Sequence, residues 1–544
     1  MIQRILVKGF RILRDFDWIP QEGVNVIVGD NAAGKSTILD AIELAMRCRV
    51  NGMRVEEALD PYWFNRDDVE DFFAAVSGGD ATAKPPEILI ELYFKKDSGS
   101  IAHLQGVHNS LGIDVPGVAL SIVLNDELRS EFFSVIQEDS RRRHLLPIEY
   151  YSVSWRSFKN QFLIKAPEPV ACFRIDANPT RSSRVVDYYA RSTVDAHISD
   201  EEKREISLRY RNLKQDIDEE ILDQIVDDEG EGIIEDISFQ MDQSSRSDWR
   251  NSVTIEKEGL PLSLAGRGMQ VEARTRLALK KSEAKKVLLM EEPENHLSHT
   301  SLMRLMGLIE KHLSGRQLFV TTHSAFVLNR LGLNKLALLA HGNSPTSINY
   351  LSKDTVAYFR RQSGVDTLRI VLGRKVVLVE GPSDEMIFNW AYEKECAKSP
   401  QEDDVDVIAY GVRGKRALEL AHALDKGHVA VLRDNDGKPP SKWRKDAEIY
   451  LDDGRQMFID DDVSLGTLEP QMVYANLSNL PSFAAAIGFS KKEPSENDLV
   501  EYMTDNKTEW AWSFVSGDVS VRDSFSVPAY IADAVEFISQ SDYE

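Results

Sequence analysis

The stretch Gly29-Asp30-Asn31-Ala32-Ala33-Gly34-Lys35-Ser36-Thr37 has the spacing G-x-x-x-x-G-K-[ST]. It follows the β-rich run Val24-Asn25-Val26-Ile27-Val28 and precedes Ile38 to Met46, whose apolar spacing predicts a helix. A strand that passes through a glycine-rich loop into a helix N-terminus suits phosphate recognition. Backbone N–H groups surround the phosphates, and the helix end favours negative charge. Lys35 is expected to reach the β- and γ-phosphates and Ser36 to hold Mg²⁺, with Gly29, Asn31, Gly34 and Thr37 completing the loop. A plain glycine-rich turn is the alternative, and the flanking strand and helix favour the nucleotide.

Further along, Lys285 to His296 reads Lys-Lys-Val-Leu-Leu-Met-Glu-Glu-Pro-Glu-Asn-His. Four apolar residues ending in two acids form a Walker B pattern, in which Glu291 is expected to hold Mg²⁺ and Glu292 to orient the attacking water. Leu318-Phe319-Val320-Thr321-Thr322-His323-Ser324 follows at the distance of one helix and one strand, so His323 is expected to sense the γ-phosphate from a strand end. Upstream, Ser263-Leu264-Ala265-Gly266-Arg267-Gly268-Met269-Gln270 precedes a helical pattern starting near Val271. Ser263, Gly266 and Gly268 there offer a second phosphate-contacting surface, one usable by a partner subunit. The full set resembles the ATP-binding-cassette ATPases of the SMC/RecF/Rad50 type, in which two heads sandwich ATP. The resemblance implies ATP as cofactor and a homodimer or higher homo-oligomer. The signature loop departs from the usual Leu-Ser-Gly-Gly-Gln. The glutamine-loop region is expected at Trp63-Phe64-Asn65-Arg66-Asp67-Asp68.

A second group of acids lies beyond residue 370. Val376-Val377-Leu378-Val379 runs into Glu380-Gly381-Pro382-Ser383-Asp384, and Val429-Ala430-Val431-Leu432-Arg433 runs into Asp434-Asn435-Asp436-Gly437. Asp-Asn-Asp-Gly alone is most often a turn. Beside a strand end, however, two aspartates at i and i+2 can face the same cleft as Glu380 and hold hard cations through oxygen. This arrangement resembles the Toprim fold of topoisomerases, bacterial primases and several nucleases. Tyr410-Gly411-Val412-Arg413-Gly414-Lys415 resembles that fold's internal strand and glycine turn, and Thr467-Leu468-Glu469-Pro470 and Asn506-Lys507-Thr508-Glu509-Trp510-Ala511 follow. An ATP-binding-cassette head followed by Toprim in one chain resembles the OLD (overcoming lysogenisation defect) family of ATPase-nucleases.

That resemblance implies a Toprim part that cleaves DNA with Mg²⁺, Mn²⁺ or another divalent cation. It assigns Glu380, Asp384, Asp434, Asp436 and Glu469 to the metal site and Lys507 to stabilising transition-state charge, for two-metal phosphodiester hydrolysis. It further implies prokaryotic antiphage defence, with ATP gating the nuclease. Family members act alone, with a UvrD-like helicase as in Gabija, or with a retron reverse transcriptase and its RNA–DNA product. A nucleotide-dependent scaffold or sensor, whose Toprim part only binds nucleic acid held by a partner, is the alternative. A primase or topoisomerase would need accessory domains.

The fold expected is α/β: an N-terminal ABC-type P-loop ATPase head with a helical insertion, then a C-terminal Toprim α/β domain. The expected boundaries are 1–154 for the N-terminal lobe, 155–250 for the helical insertion and dimerisation region, 251–350 for the C-terminal lobe and 370–544 for Toprim. The main break is expected in a polar, loop-like stretch at 341–363. Over its 544 residues the chain holds 88 Asp+Glu against 65 Lys+Arg, a net charge of −23, which argues against coating nucleic acid by bulk electrostatics. DNA would need a local basic surface. Candidates are Arg413, Lys415 and Arg416, then Lys438, Lys442, Arg444 and Lys445 with Trp443 to stack on a base, and the run Arg141-Arg142-Arg143. Three separated cysteines, Cys48, Cys172 and Cys396, exclude a disulfide framework and a Cys-based zinc site. No run of about 18 apolar residues or signal-peptide core is visible, so a cytoplasmic protein without membrane association is expected.

Overall fold

The computed structural model describes residues 1–50, 53–80, 82–96, 101–138, 145–167, 170, 172–176, 198–222, 240–244, 247–257, 259–281, 286–340, 342–348, 351–361, 367–411, 414–491 and 493–540. They form two compact units. The first holds Met1–Ile27, Asn31–Thr322 and Leu339–Ser344, and the second holds Val28–Asp30, His323–Leu338 and Pro345–Glu544.

In the first unit, Ile2–Phe10 pairs antiparallel with Leu13–Trp18 and with Ile88–Phe94, and the sheet continues through Val115–Leu124 to Tyr151–Ser157. A second, parallel array places Cys172–Asp176, Val287–Glu291, Gln317–Thr321 and the strand beginning at Val24 side by side. Val287 to Met290 and Gln317 to Thr321 are buried without alternation, as expected of strands covered on both faces. The register sets Asp176 beside Glu291, Glu291 beside Thr321 and Thr321 beside Ile27. The carboxyl ends of these strands therefore share the edge at which open α/β sheets bind ligands.

Cys172–Asp176 corrects one expectation, because it lies inside the range assigned to a helical insertion and yet belongs to the parallel sheet. Two charged residues in five conceal it from an apolar-run reading. Among the described residues of that range the α-helix is Asp200–Ile217, which starts with a reciprocal capping box between Ser199 and Glu202. The acids Asp227, Asp228, Glu229 and Glu231 of the same range lie outside the described residues.

The second unit contains a four-stranded parallel sheet in the order Val405–Ala409, Lys375–Val379, Val429–Leu432, Arg455–Phe458. The helix Pro382–Cys396 packs against Lys507–Val515 and Ala529–Ser539, and the Trp390 and Phe514 rings meet edge-on at 4.8 Å. Burial of these large rings stabilises the unit by roughly 2–3 kcal/mol per side chain. The stretch expected as a loop at 341–363 instead includes the short strand Thr346–Ser347 and the helix Lys353–Arg361. Its polar residues have buried roles: Ser352 N–H (2.5 Å) and the hydroxyls of Ser352 (3.1 Å) and Thr355 (2.6 Å) donate to the carboxylate of buried Glu419. Among the described residues no helix is long and apolar enough to cross a membrane.

Candidate ATP and metal sites

The glycine-rich loop leads into the helix Lys35–Arg47 through Gly34, whose φ of 104° is left-handed. A Cβ at this position would stand 2.8 Å from Ile12 Cγ2, so both backbone and packing call for glycine. Lys35 and Thr37 are buried, whereas Asp30 and Asn31 are exposed on the loop. Ser36 Oγ donates to Glu291 Oε1, bringing together the two residues expected to share a metal ion. Glu292 has a left-handed backbone (φ 42°), donates its N–H to Thr321 O at 2.9 Å, and accepts from Asn295 Nδ2 at 2.6 Å. A non-glycine residue held in that conformation stores about 1–3 kcal/mol of strain, as at many functional turns.

The other ATP-site candidates are more dispersed. Gly266 is exposed, and Gly268 lies in the first turn of the helix Arg267–Lys281, with room for a Cβ only 3.2 Å from His296 O. Ser263 lies in the short turn before them, Leu262–Leu264. His323 is exposed two residues beyond the strand Gln317–Thr321. Within the second unit it lines, with Asp30, a cleft of about 610 Å³ that also includes Arg369, Arg374, Asp404 and Asp406. The glutamine-loop candidate region folds as a turn and helix start. Asn65 caps Arg66–Ser77 and donates to Arg11 O at 2.6 Å.

In the second unit the acids converge. Glu380 follows Lys375–Val379, and Asp384 caps the next helix by accepting from Gly381 N–H at 3.0 Å. Asp434 and Asp436 follow Val429–Leu432, while Glu469 is buried in the first turn of Leu468–Ala475 and accepts from Thr467 Oγ1 at 2.7 Å. Burial pushes the Asp434 carboxyl up to about 8, and Asp384, Glu380, Glu469 and Asp436 push in the same direction. Burial likewise raises Glu380 to about 7, against the opposing charge of Arg433, and Asp384 to about 6. Lys507, exposed at the start of its helix, is close enough to Asp384 to oppose that rise.

Glu380 Oε1 and Asp434 Oδ1 are buried with no hydrogen-bond donor. Buried oxygens without donors among neighbouring carboxylates suit a hard cation, with the Arg433 guanidinium 3.9 Å from Glu380 Oε1 as a partial counter-charge. Among the described residues, no three Asp, Glu, His or Cys side chains stand close enough together to hold a metal ion as they are placed.

A family model described as "AAA domain, putative AbiEii toxin, Type IV TA system" matches residues 24–329, more than half of the chain. A second, "Overcoming lysogenization defect protein-like, TOPRIM domain", matches residues 372–436. The chain belongs to that AAA family and carries an OLD-like Toprim domain. Among solved structures it is similar to an SmcHead bound to the C-winged helix domain of ScpA, at 15% identity and a TM-score of 0.35, covering 65% of this chain and 98% of that one. It is similar to the C-terminal region of the Burkholderia pseudomallei OLD protein at 18% identity and a TM-score of 0.24, covering 31% and 97%. The recombination mediator RecF with ATPrS gives 13% identity and a TM-score of 0.33, covering 64% and 98%. The search of curated proteins gave no match.

Two residues that sequence reading missed organise the acid cluster. Asn435, fully buried between the two aspartates, donates from Nδ2 to the carbonyls of Asp460 (3.1 Å), Asp462 (2.8 Å) and Leu465 (3.4 Å), and its Oδ1 accepts from Gly437 N–H at 2.8 Å. The Asp-Asn-Asp-Gly segment is thus a turn as well as a source of carboxylates. Arg433 stacks on Trp443 at 3.8 Å, so one face of that ring is occupied by the protein's own cation. Lys415, Lys438, Lys442, Arg444 and Lys445 are exposed around this region, and Arg416 lies over Tyr358. Arg413 and Arg141-Arg142-Arg143 lie outside the described residues.

Proposed function

We propose that this protein is an ATP-binding and ATP-hydrolysing, divalent-metal-dependent DNA endonuclease of the OLD family, in which nucleotide state gates the Toprim site. The reading is carried by the gathering of Glu380, Asp384, Asp434, Asp436 and Glu469 in one electrostatic cluster, with two buried oxygens lacking donors. Divalent cations held there supply a more acidic water and charge stabilisation at the leaving oxygen. The chain's own residues hold the acids in place: Asn435 fixes the aspartate turn, Arg433 draws Glu380 and Asp436 together, and Lys507 offers positive charge beside Asp384.

At the ATP site, Lys35 binds phosphate, Ser36 and Glu291 hold Mg²⁺, and Glu292 orients water. Gating is supported by the cleft that Asp30 and His323 line with the residues beside the strand Val405–Ala409. We place Ser263, Gly266 and Gly268 against the nucleotide of a second copy, and we place the activity in antiphage defence. No observation favours a UvrD-like helicase or a retron reverse transcriptase as partner. The test is nicking of supercoiled plasmid in Mg²⁺ or Mn²⁺, against EDTA, with ATP, ADP or no nucleotide. Cation-dependent nicking that changes with the nucleotide is expected. DNA retention without nicking under every condition would favour a binding-only scaffold.

A further inference from the structure

Arg174 lies in the middle of Cys172–Asp176, the strand paired with the Walker B strand, and its side chain is only 12% exposed. It meets three acids. Its Nη1 donates to Asp40 Oδ1 and, at 3.2 Å, to Glu43 Oε2, both on the helix that follows the nucleotide loop. Its Nη2 donates to Glu291 Oε2 at 2.6 Å. Burial works against the Arg174 charge, but Asp40, Glu43 and Glu291 outweigh it and hold its pKa above the ordinary arginine value. A buried guanidinium matched by carboxylates on two elements is a fixed joint, since removing it leaves uncompensated charge.

The two oxygens of Glu291 therefore face different partners. Oε2 is taken by Arg174 and Oε1 by the Ser36 hydroxyl. We propose that Arg174 is a positioning residue for the Walker B carboxylate: it leaves Glu291 one oxygen to offer Mg²⁺ beside Ser36 and ties that oxygen's position to the helix carrying Asp40 and Glu43. Arg11, which donates to Asp40 Oδ2 at 2.6 Å, and Arg47, which donates to Glu43 at 3.1 Å, hold the far side of the joint. The inference rests on the proposed role of Glu291 in the ATP site. Partners that orient a metal ligand through its second atom typically change metal affinity by about 10–100-fold when removed.

The test uses the full chain with a fluorescent ATP analogue, comparing wild type, Arg174→Met, Arg174→Lys and Glu291→Gln. Binding is titrated with Mg²⁺ and repeated in EDTA, and melting temperature is recorded. Arg174→Met is expected to raise the Mg²⁺ concentration at half-effect about 10–100-fold while leaving binding in EDTA within about threefold of wild type. Arg174→Lys is expected to recover part of the shift. A purely structural role would weaken EDTA and Mg²⁺ binding together, and that result overturns the proposal. So does an unchanged Mg²⁺ midpoint in Arg174→Met when Glu291→Gln does shift it. If Glu291→Gln leaves the midpoint unchanged, the Walker B assignment fails, and the Arg174 proposal fails with it.

Discussion

Arg433 holds its guanidinium 3.9 Å from the carboxylate of Glu380, the acid that ends the neighbouring strand. It also reaches Asp436 at 3.3 Å and stacks on Trp443, so a protein cation stands among acids that raise one another's pKa. Glu380 is at about 7 with Arg433 opposing the rise. Arg433→Met should therefore raise it further. Mn²⁺ binding followed by calorimetry from pH 5 to 9 should show its midpoint displaced to higher pH by about one unit, with the larger loss of affinity on the acid side. A profile that moves to lower pH would contradict this role.

The raised carboxyls also set a pH dependence of stability. Asp434 is at about 8 when folded and near 3.9 when unfolded, so the folded state binds the extra proton. Stability of the metal-free protein is then lost as pH rises from about 4 to about 8 and is level above that. Asp434→Asn removes this cost. Its melting temperature in EDTA is expected to exceed wild type by about 2–4 °C at pH 8, and the difference should vanish near pH 4. Thermal melts across that range check the sign.

Asn435 makes three donated contacts to backbone carbonyls from a fully buried amide. Asn435→Ala takes the amide donor from Asp460 O and one of two donors each from Asp462 O and Leu465 O, which keep Leu465 N–H and Gln471 Nε2, and should cost about 1–3 kcal/mol, read by denaturant unfolding. Nicking activity should fall with it, because Asp434 and Asp436 flank the turn that Asn435 fixes.

Glu291, Glu380 and Asp434 stand at or next to the end of a short apolar run, where local patterning marks a strand end, and the glycine-rich loop was legible for the same reason. Asp384 and Glu469 follow no such run and were expected only from the resemblance. Arg174 was not, because its strand is five residues long, carries two charges and borrows its burial from Val287–Glu291. Asn435 looked like turn filler, and its partners lie 25 to 30 residues away in sequence. The helix Lys353–Arg361 read as loop because the apolar spacing is sparse, while its start is stabilised by Glu419, which is distant in sequence. Non-local contacts of this kind have no local signature.

At the ATP site, Glu292 is held by Asn295 and by a left-handed backbone. Glu292→Gln keeps the shape and removes the charge. Single-turnover hydrolysis should fall about 10²–10⁴-fold while nucleotide binding stays within a few-fold of wild type. Equal loss of both would place Glu292 in binding rather than in water activation.

Metal-dependent DNA cleavage by the Toprim acids is read by nicking of supercoiled plasmid in Mn²⁺, comparing wild type with Asp434→Ala of matched circular dichroism. Wild type is expected to nick in a cation-dependent manner, with a loss of at least about 10²-fold in Asp434→Ala. Nicking by Asp434→Ala at the wild-type rate would contradict it.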